Sequence, residues 1–176
     1  MNEPARPFLP PDPKGQFRFE VDAYLVNLLV AVGRTRDVEI DKALKPTGLS
    51  VTRFRTLIVI SRLPGCTMSE LATVSTMDRT GLTRTIDQLI RDGLVARRTE
   101  PDDRRKVRIF LSPEGEAALV EAGPIVSAVN NRSLERLTDD DRRGFVHCLE
   151  QMMFSLRPDE TNERRRILGS PPLPKP

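Results

Sequence analysis

The sequence has few of the residues on which most catalytic and metal sites depend. It contains one histidine, His147, two cysteines, Cys66 and Cys148, and no tryptophan. A single histidine cannot build a Ser-His-Asp triad, and the adjacent His147 and Cys148 lack the usual spacing of zinc ligands. Neither the GxxxxGK[ST] phosphate loop nor the dinucleotide-binding glycine pattern occurs. We therefore expect no enzymatic activity, no metal site and no cofactor.

Long hydrophobic runs are absent as well. No stretch of about 18 apolar residues occurs, so no transmembrane helix is expected. The N-terminal residues lack the apolar segment of a signal peptide. Two cysteines fit free thiols in a reducing compartment. These features predict a cytoplasmic protein without a membrane partner.

Positive charge is concentrated in one segment of the chain. Overall, 28 Lys and Arg residues stand against 25 Asp and Glu residues, a net charge of +3. Residues 79–108 hold nine of the basic and five of the acidic residues, so the remainder is slightly acidic. A localised basic segment is typical of a nucleic-acid surface, whereas the alternative is a solvated charged hairpin.

The same segment has the pattern of a helix followed by a hairpin. Asp78 can cap a helix that Gly93 ends, and strands are predicted at 94–98 and 107–111. Ser112 and Pro113 then begin another helix. The apolar side of the first helix comprises Leu82, Ile86, Leu89 and Ile90. Upstream, a helix at 50–63 capped by Ser50 and a short helix at 70–74, capped at Thr67 or Ser69, complete a helix-turn-helix pattern.

Residues 49–115 resemble the winged helix-turn-helix of the MarR family of transcriptional regulators. The wing pattern D-x-R-x-x-x-[hydrophobic]-x-L-[ST]-x-x-G is formed by Asp103, Arg105, Ile109, Leu111, Ser112 and Gly115, downstream of SELATVSTMDRTGLTRTIDQLIRDGLV. The resemblance extends over about residues 17–156. It implies a mainly α fold with a small β-hairpin wing, that is, a winged helix-turn-helix plus a helical dimerisation region. It also implies an obligate homodimer that reads a pseudo-palindromic operator in double-stranded DNA.

Five segments are expected along the chain. They are a proline-rich N-terminal arm (1–16), a first dimerisation and crevice helix (17–48), the winged helix-turn-helix DNA-binding domain (49–112), C-terminal dimerisation helices (113–157) and a flexible Arg/Pro-rich tail (158–176). The last helix, capped by Thr138, has apolar residues on more than one face. That pattern predicts a dimer surface, with a large intramolecular contact as the alternative.

The polar side of the helix after Asp78 supplies the predicted major-groove contacts, which are Arg79, Thr80, Thr83 and Arg84. Threonine methyl groups can contact thymine methyls, and arginine can pair with guanine edges. Asp87 is spaced to pair with Arg84 or Arg91 on the same helix.

The resemblance implies further DNA contacts in the wing. Arg105 resembles the wing-tip arginine that enters the minor groove, and Asp103 resembles the aspartate that holds it. Arg104 and Lys106 are expected to contact phosphates. Ser69 lies at the start of the first motif helix, whose amides can meet a phosphate.

MarR relatives commonly bind small anionic or aromatic ligands in a crevice between the dimerisation helices and the winged domain. An arginine there could clamp a carboxylate. The candidate ligand-binding residues are Tyr24, Asn27, Leu28, Arg53, Phe54 and Arg55. Salt bridges and core packing are the alternative roles for these residues.

We therefore predict a sequence-specific DNA-binding regulator, a homodimeric repressor that a small aromatic or carboxylate effector releases from DNA. One alternative is a redox-responsive regulator that uses Cys66, which is expected in an exposed loop while Cys148 is expected to be buried. The other is a winged-helix protein-interaction module without DNA affinity.

Overall fold

A computed structural model of the chain describes residues 8–9, 18–19, 21–75, 77–100 and 103–168. The chain divides into two compact units, residues 1–39 and 40–176. No helix within these ranges is long and apolar enough to cross a membrane.

The first unit holds a short hairpin and most of one helix. Strand β1 (Phe8–Leu9) pairs antiparallel with β2 (Arg18–Phe19), with Phe8 opposite Phe19. Helix α1 (Val21–Leu44) follows, and its part in this unit ends at Glu39. Apolar residues of α1 are largely exposed, since Tyr24, Leu25 and Leu28 each keep about half or more of their surface.

The second unit contains all the remaining elements. After the last turn of α1 and a 3₁₀ turn (Lys45–Thr47), the helices are α2 (Val51–Arg62), α3 (Met68–Val74) and α4 (Arg79–Arg91). Strands β3 (Val95–Glu100) and β4 (Asp103–Leu111) form an antiparallel hairpin. Helices α5 (Pro113–Ser133), α6 (Asp139–Leu156) and α7 (Pro158–Leu168) complete the unit. This confirms the predicted mainly α fold with a β-hairpin wing.

One hydrophobic core holds α2, α3, α4 and the hairpin together. Its fully buried members include Leu57, Leu71, Leu82, Ile86 and Ile109, one or more from each of these elements. Burying side chains of this size stabilises a domain by about 1.5–3 kcal/mol each before entropy is counted. The core therefore fixes the angle at which α4 leaves the turn after α3.

The helix starts follow the local sequence closely. Ser50, Asp78, Ser112 and Thr138 each accept a hydrogen bond from a backbone N–H three residues later, as predicted. Thr67, and not Ser69, caps α3, because Glu70 bonds back to the Thr67 N–H and completes a capping box. Gly93 has the left-handed φ of 73° that ends α4.

The prediction of a flexible tail is wrong for residues 158–168, which form α7. The helix packs against α2, α3 and α6, and Thr161 and Ile167 are buried. Residues 169–176 lie outside the described part of the chain. None of the residues of α6, all of which are described, is buried, and Phe145, Phe154 and Leu156 are exposed.

Candidate nucleic-acid interface

Helix α4 presents a polar face to solvent and buries the opposite side. Leu82, Thr85, Ile86 and Leu89 are buried, whereas the four predicted major-groove residues, Arg79, Thr80, Thr83 and Arg84, are all exposed. The Thr83 hydroxyl donates to the Arg79 carbonyl at 2.9 Å. Its methyl group and both arginines are therefore available to a ligand that approaches from outside.

Both ends of α4 are fixed by side chains. At the start, the Asp78 carboxylate accepts from the Gly81 N–H at 2.8 Å. At the end, Arg53 of α2 forms an ion pair with Asp92, the residue that follows α4, and also donates to the Gly48 carbonyl at 3.3 Å. These contacts hold the axis of the helix, so that its exposed face keeps one orientation.

A third contact joins α4 to the hairpin. Asp87 accepts a hydrogen bond from Arg97 of β3 at 2.8 Å. The prediction that Asp87 pairs with Arg84 or Arg91 is wrong, since its partner comes from a strand ten residues along the chain. The pairing leaves Arg84 on the outer face of the helix.

The hairpin, which we call the wing, is anchored at its base. Val95 lies opposite Leu111, and Arg98 lies opposite Arg108. Cys66 forms an antiparallel bridge with Ile109, through N–H to carbonyl bonds of 2.9 Å that join Gly65 and Cys66 to Ile109. The Arg98 guanidinium lies 4.9 Å from the centre of the Phe110 ring. The base of the wing is therefore continuous with the core.

The end of the wing pattern, Leu-Ser-x-x-Gly, has a structural explanation. Ser112 caps α5 through the Gly115 N–H, and its own hydroxyl donates to the Gly93 carbonyl at 2.6 Å. A Cβ added to Gly115 would lie 2.1 Å from the Leu94 carbonyl oxygen. The serine and the glycine therefore let α5 start directly against the turn that ends α4.

The predicted wing-tip residues can be placed only by their backbone. Asp103, Arg104, Arg105 and Lys106 lie in β4, with Asp103 opposite Glu100 across an irregularity in the strand pairing. Their side chains lie outside the described part of the structure.

The start of α3 lies near basic residues from other elements. Ser69 is exposed in its first turn. Arg108 of β4 lies 4.0 Å from the Glu70 carboxylate and donates to the Gly65 carbonyl. The Thr67 N–H and hydroxyl, both hydrogen-bonded to Glu70, hold the pKa of that carboxyl below its usual value.

The structure reverses the predicted exposure of the two cysteines. Cys66 is buried, and Cys148 on α6 is exposed. Burial raises the pKa of the Cys66 thiol to about 11, with a smaller contribution from the nearby Glu70 carboxylate. Because the thiolate is the reactive form, Cys66 is poorly suited to sense oxidants.

The predicted ligand-binding residues differ in their surroundings. Arg53, Phe54 and Arg55 share α2, where Phe54 belongs to the core and Arg53 is engaged with Asp92. The Arg53 Nε is buried and finds no hydrogen-bond partner among the described residues. In the first unit, the predicted residues of α1, namely Tyr24, Asn27 and Leu28, are exposed.

Comparison with known proteins places these features in context. The model of the MarR family matches residues 49–107. The HTH-type transcriptional repressor Rv2887 of Mycobacterium tuberculosis is 32% identical over 131 residues, which cover 74% of this chain and 94% of the relative. A cysteine-to-serine mutant of MarR from E. coli, solved with operator DNA, matches with a TM-score of 0.69 at 26% identity, over 74% of this chain and 94% of that one.

A third match shares the fold at lower identity. Bordetella bronchiseptica BpsR, whose DNA binding is regulated by 6-hydroxynicotinic acid, has a TM-score of 0.69 at 21% identity. The match covers 77% of this chain and 96% of BpsR.

Proposed function

The chain belongs to the MarR family of DNA-binding transcriptional regulators, and from this premise we propose that it is a homodimeric repressor of a pseudo-palindromic operator, released by a small aromatic or carboxylate ligand. The observation that carries the proposal is the outer face of α4. That face exposes Arg79, Thr80, Thr83 and Arg84 on a helix whose ends and centre are fixed.

The chemistry of this face suits the major groove of a duplex. Arginine can donate two hydrogen bonds to the O6 and N7 acceptors of guanine, and threonine offers both a methyl group and a hydroxyl. Helix fixation matters because a hydrogen bond of about 2.9 Å to a base is lost when its donor moves away by about 1 Å. In this proposal the wing reaches the flanking minor groove through Arg105 and phosphates through Arg104 and Lys106.

Exposed apolar residues support the homodimer. Phe145, Val146, Met153, Phe154 and Leu156 of α6 are all at least 38% exposed. An apolar surface of this kind is costly in water, and a second copy with two-fold symmetry would cover it. Two-fold symmetry would also place two α4 helices on successive turns of the operator.

Arg53 suggests how an anionic ligand would act. Its guanidinium is engaged with Asp92, next to the end of α4, while its Nε has no described partner. A carboxylate that binds Arg53 would compete with Asp92 and loosen the end of the helix. The ligand would then favour conformations in which the spacing of the two α4 helices of the dimer does not match successive major grooves of the operator. This is a population shift.

The first experiment measures binding of the purified protein to a duplex from the region upstream of its own gene. Affinity is measured at two salt concentrations, because each phosphate contact contributes about −0.9 to the slope of log K against log [salt]. We expect Arg84→Ala to weaken binding by about 1–3 kcal/mol. Arg136→Ala, in the turn between α5 and α6, is the matched control, since it also removes one exposed arginine.

The DNA proposal would be contradicted if no duplex bound, both in the upstream region and in a genome-wide site search. Equal losses for Arg84→Ala and Arg136→Ala would contradict the role of the α4 face. A winged-helix protein-interaction module would then be the better reading.

The ligand proposal needs a separate measurement. The protein–duplex complex is titrated with a panel of aromatic carboxylates that includes 6-hydroxynicotinic acid and, as controls, the matching amides. We expect one carboxylate to release the duplex and its amide to fail, because only the charged group can compete for Arg53. Release that persists unchanged in Arg53→Lys and Arg55→Lys variants would contradict an arginine clamp.

A further inference from the structure

We infer that α7 is part of the DNA-reading apparatus and that Arg164 is a positioning residue for the recognition helix α4. The inference rests on the proposed DNA binding. It assigns to residues 158–168 a role in holding the helix-turn-helix, where sequence composition predicted a flexible tail.

The central contact joins α7 to the end of α3. The Arg164 Nη1 donates to the Val74 carbonyl oxygen at 2.8 Å across 90 residues of sequence. Val74 is the last residue of α3, and the final carbonyls of a helix have no partner within it. A guanidinium at this end both satisfies the carbonyl and complements the partial negative charge of the helix dipole.

This contact is placed directly before the turn that leads into α4. Ser75 follows Val74, and its N–H donates to the Leu71 carbonyl at 2.9 Å. The Ser75 hydroxyl accepts from the Met77 N–H at 3.0 Å, and Asp78 then caps α4. Any movement of the Val74 carbonyl would therefore pass along a short hydrogen-bonded path to the start of α4.

The packing of α7 against its neighbouring helices restricts the movement of Arg164. Thr161, Arg164 and Ile167 are spaced i, i+3 and i+6, so they lie along one side of the helix. Thr161 is 4% exposed and Ile167 is 8% exposed. The helix contacts α2, α3 and α6, so it ties the C-terminal helices to the helix-turn-helix.

A second observation concerns Arg166, two residues after Arg164 on α7. The charge of Arg166 contributes to the lowered pKa of Glu70, the third residue of α3. Arg164 meets the last residue of α3, and Arg166 acts on its first turn. Both arginines therefore come from the part of α7 that packs near α3.

The test compares three variants of the full chain on the duplex that the wild-type protein selects from a random library. Arg164→Met removes the donors and the charge but keeps most of the side-chain volume. Arg164→Lys keeps the charge and one donor nitrogen. Arg136→Met, in the exposed turn between α5 and α6, is the matched control for loss of an arginine. Affinity is measured over a salt series, and amide hydrogen exchange is followed over residues 75–85.

We expect Arg164→Met to bind about three- to tenfold more weakly, because only part of the free energy of one hydrogen bond is passed on to DNA binding. The slope of log K against log [salt] should stay as in wild type, because a positioning residue contacts no phosphate. Exchange over 75–85 should accelerate, and Arg164→Lys should recover part of both effects. The Arg136→Met control should match wild type in all three readouts.

Two results would overturn the inference. Wild-type affinity for Arg164→Met, with unchanged exchange over 75–85, would show that Arg164 does not position α4. A salt slope reduced by about 0.9 would make Arg164 a direct phosphate contact instead. Failure of the wild-type protein to select any duplex would contradict the proposed function itself and is recognised before any variant is compared.

Discussion

Replacing Gly115 with alanine tests how the wing joins α5, and Gly81 provides a closely matched control. Both glycines occupy the third position of a capped helix. The Gly115 N–H donates to the Ser112 hydroxyl at 3.0 Å, and the Gly81 N–H donates to Asp78 at 2.8 Å. The two sites differ in what an added methyl group would meet.

The magnitudes follow from these surroundings. At Gly115 the new Cβ would lie 2.1 Å from the backbone oxygen of Leu94, so the chain must move by about 1 Å. Such overpacking costs about 1–3 kcal/mol, and the 3.1 Å bond from the Ser112 N–H to the same oxygen would weaken by about 1 kcal/mol more. We expect Gly115→Ala to lower the free energy of unfolding by about 2–4 kcal/mol.

At Gly81 the same substitution should stabilise the protein instead of destabilising it. The new Cβ would lie 3.6 Å from the Asp78 carboxylate, an ordinary contact. Alanine is favoured over glycine in a helix by up to about 1 kcal/mol, so Gly81→Ala should raise the free energy of unfolding by about 0.5–1 kcal/mol. If Gly81 lets DNA approach the backbone closely, the same variant should bind the operator more weakly while it is more stable.

The assay is thermal unfolding followed by circular dichroism, at one protein concentration because oligomers unfold in a concentration-dependent way. For a chain of this size, 1 kcal/mol corresponds to about 2–4 °C, so Gly115→Ala should melt about 5–15 °C below wild type. Gly81→Ala should melt slightly above it. A Gly115→Ala variant that melts with or above wild type would refute the backbone clash.

Three further outcomes follow from the charges and thiols. Iodoacetamide should label exposed Cys148 first and Cys66 only on unfolding, because burial raises the pKa of the Cys66 thiol to about 11. The labelled cysteine is located by mass spectrometry, and rapid labelling of Cys66 in the folded protein would contradict this expectation. Since the pKa of Glu70 is lowered in the folded state, its contribution is present above the unfolded pKa and lost as the pH falls below about 4. The difference in Tm between wild type and Glu70→Gln should therefore shrink on acidification. A difference that widens would contradict a lowered pKa of Glu70 in the folded protein. The exposed Asp87–Arg97 pair should contribute under about 1 kcal/mol, so Asp87→Asn should cost little stability and less still at high salt.

Sequence patterns predicted the parts of the fold that depend on neighbouring residues. The caps at Asp78 and Ser112 and the glycine that ends α4 are local signals, because each side chain bonds to backbone within a few positions. Helical spacing predicted Leu82, Ile86 and Leu89 on the buried side of α4, whereas Ile90 is only half-buried and Thr85 is buried without having been predicted. The four residues of its outer face were therefore placed correctly on the surface, and their contact with DNA remains a prediction.

Long-range partners could not be predicted in the same way. Helical spacing offered Asp87 only Arg84 and Arg91, whereas the fold brings it to Arg97 of β3. Likewise, Arg53 was predicted to bind a ligand, and the structure pairs it with Asp92. In both cases the packing of α4 on α2 and on the wing determines which arginine meets which carboxylate. Helical spacing within one element cannot predict that packing.

The case of α7 shows why average composition can mislead about a charged segment. Residues 158–168 contain few apolar side chains, and a segment that buries little apolar surface is expected to stay disordered. Yet Pro158 at the first position and two acidic residues in the first turn are ordinary signals of a helix start. The buried anchor that holds this helix against α2 and α3 is small. The buried residues Thr161 and Ile167 form this anchor. Arg164 adds a hydrogen bond, which an average composition records only as one more charged residue.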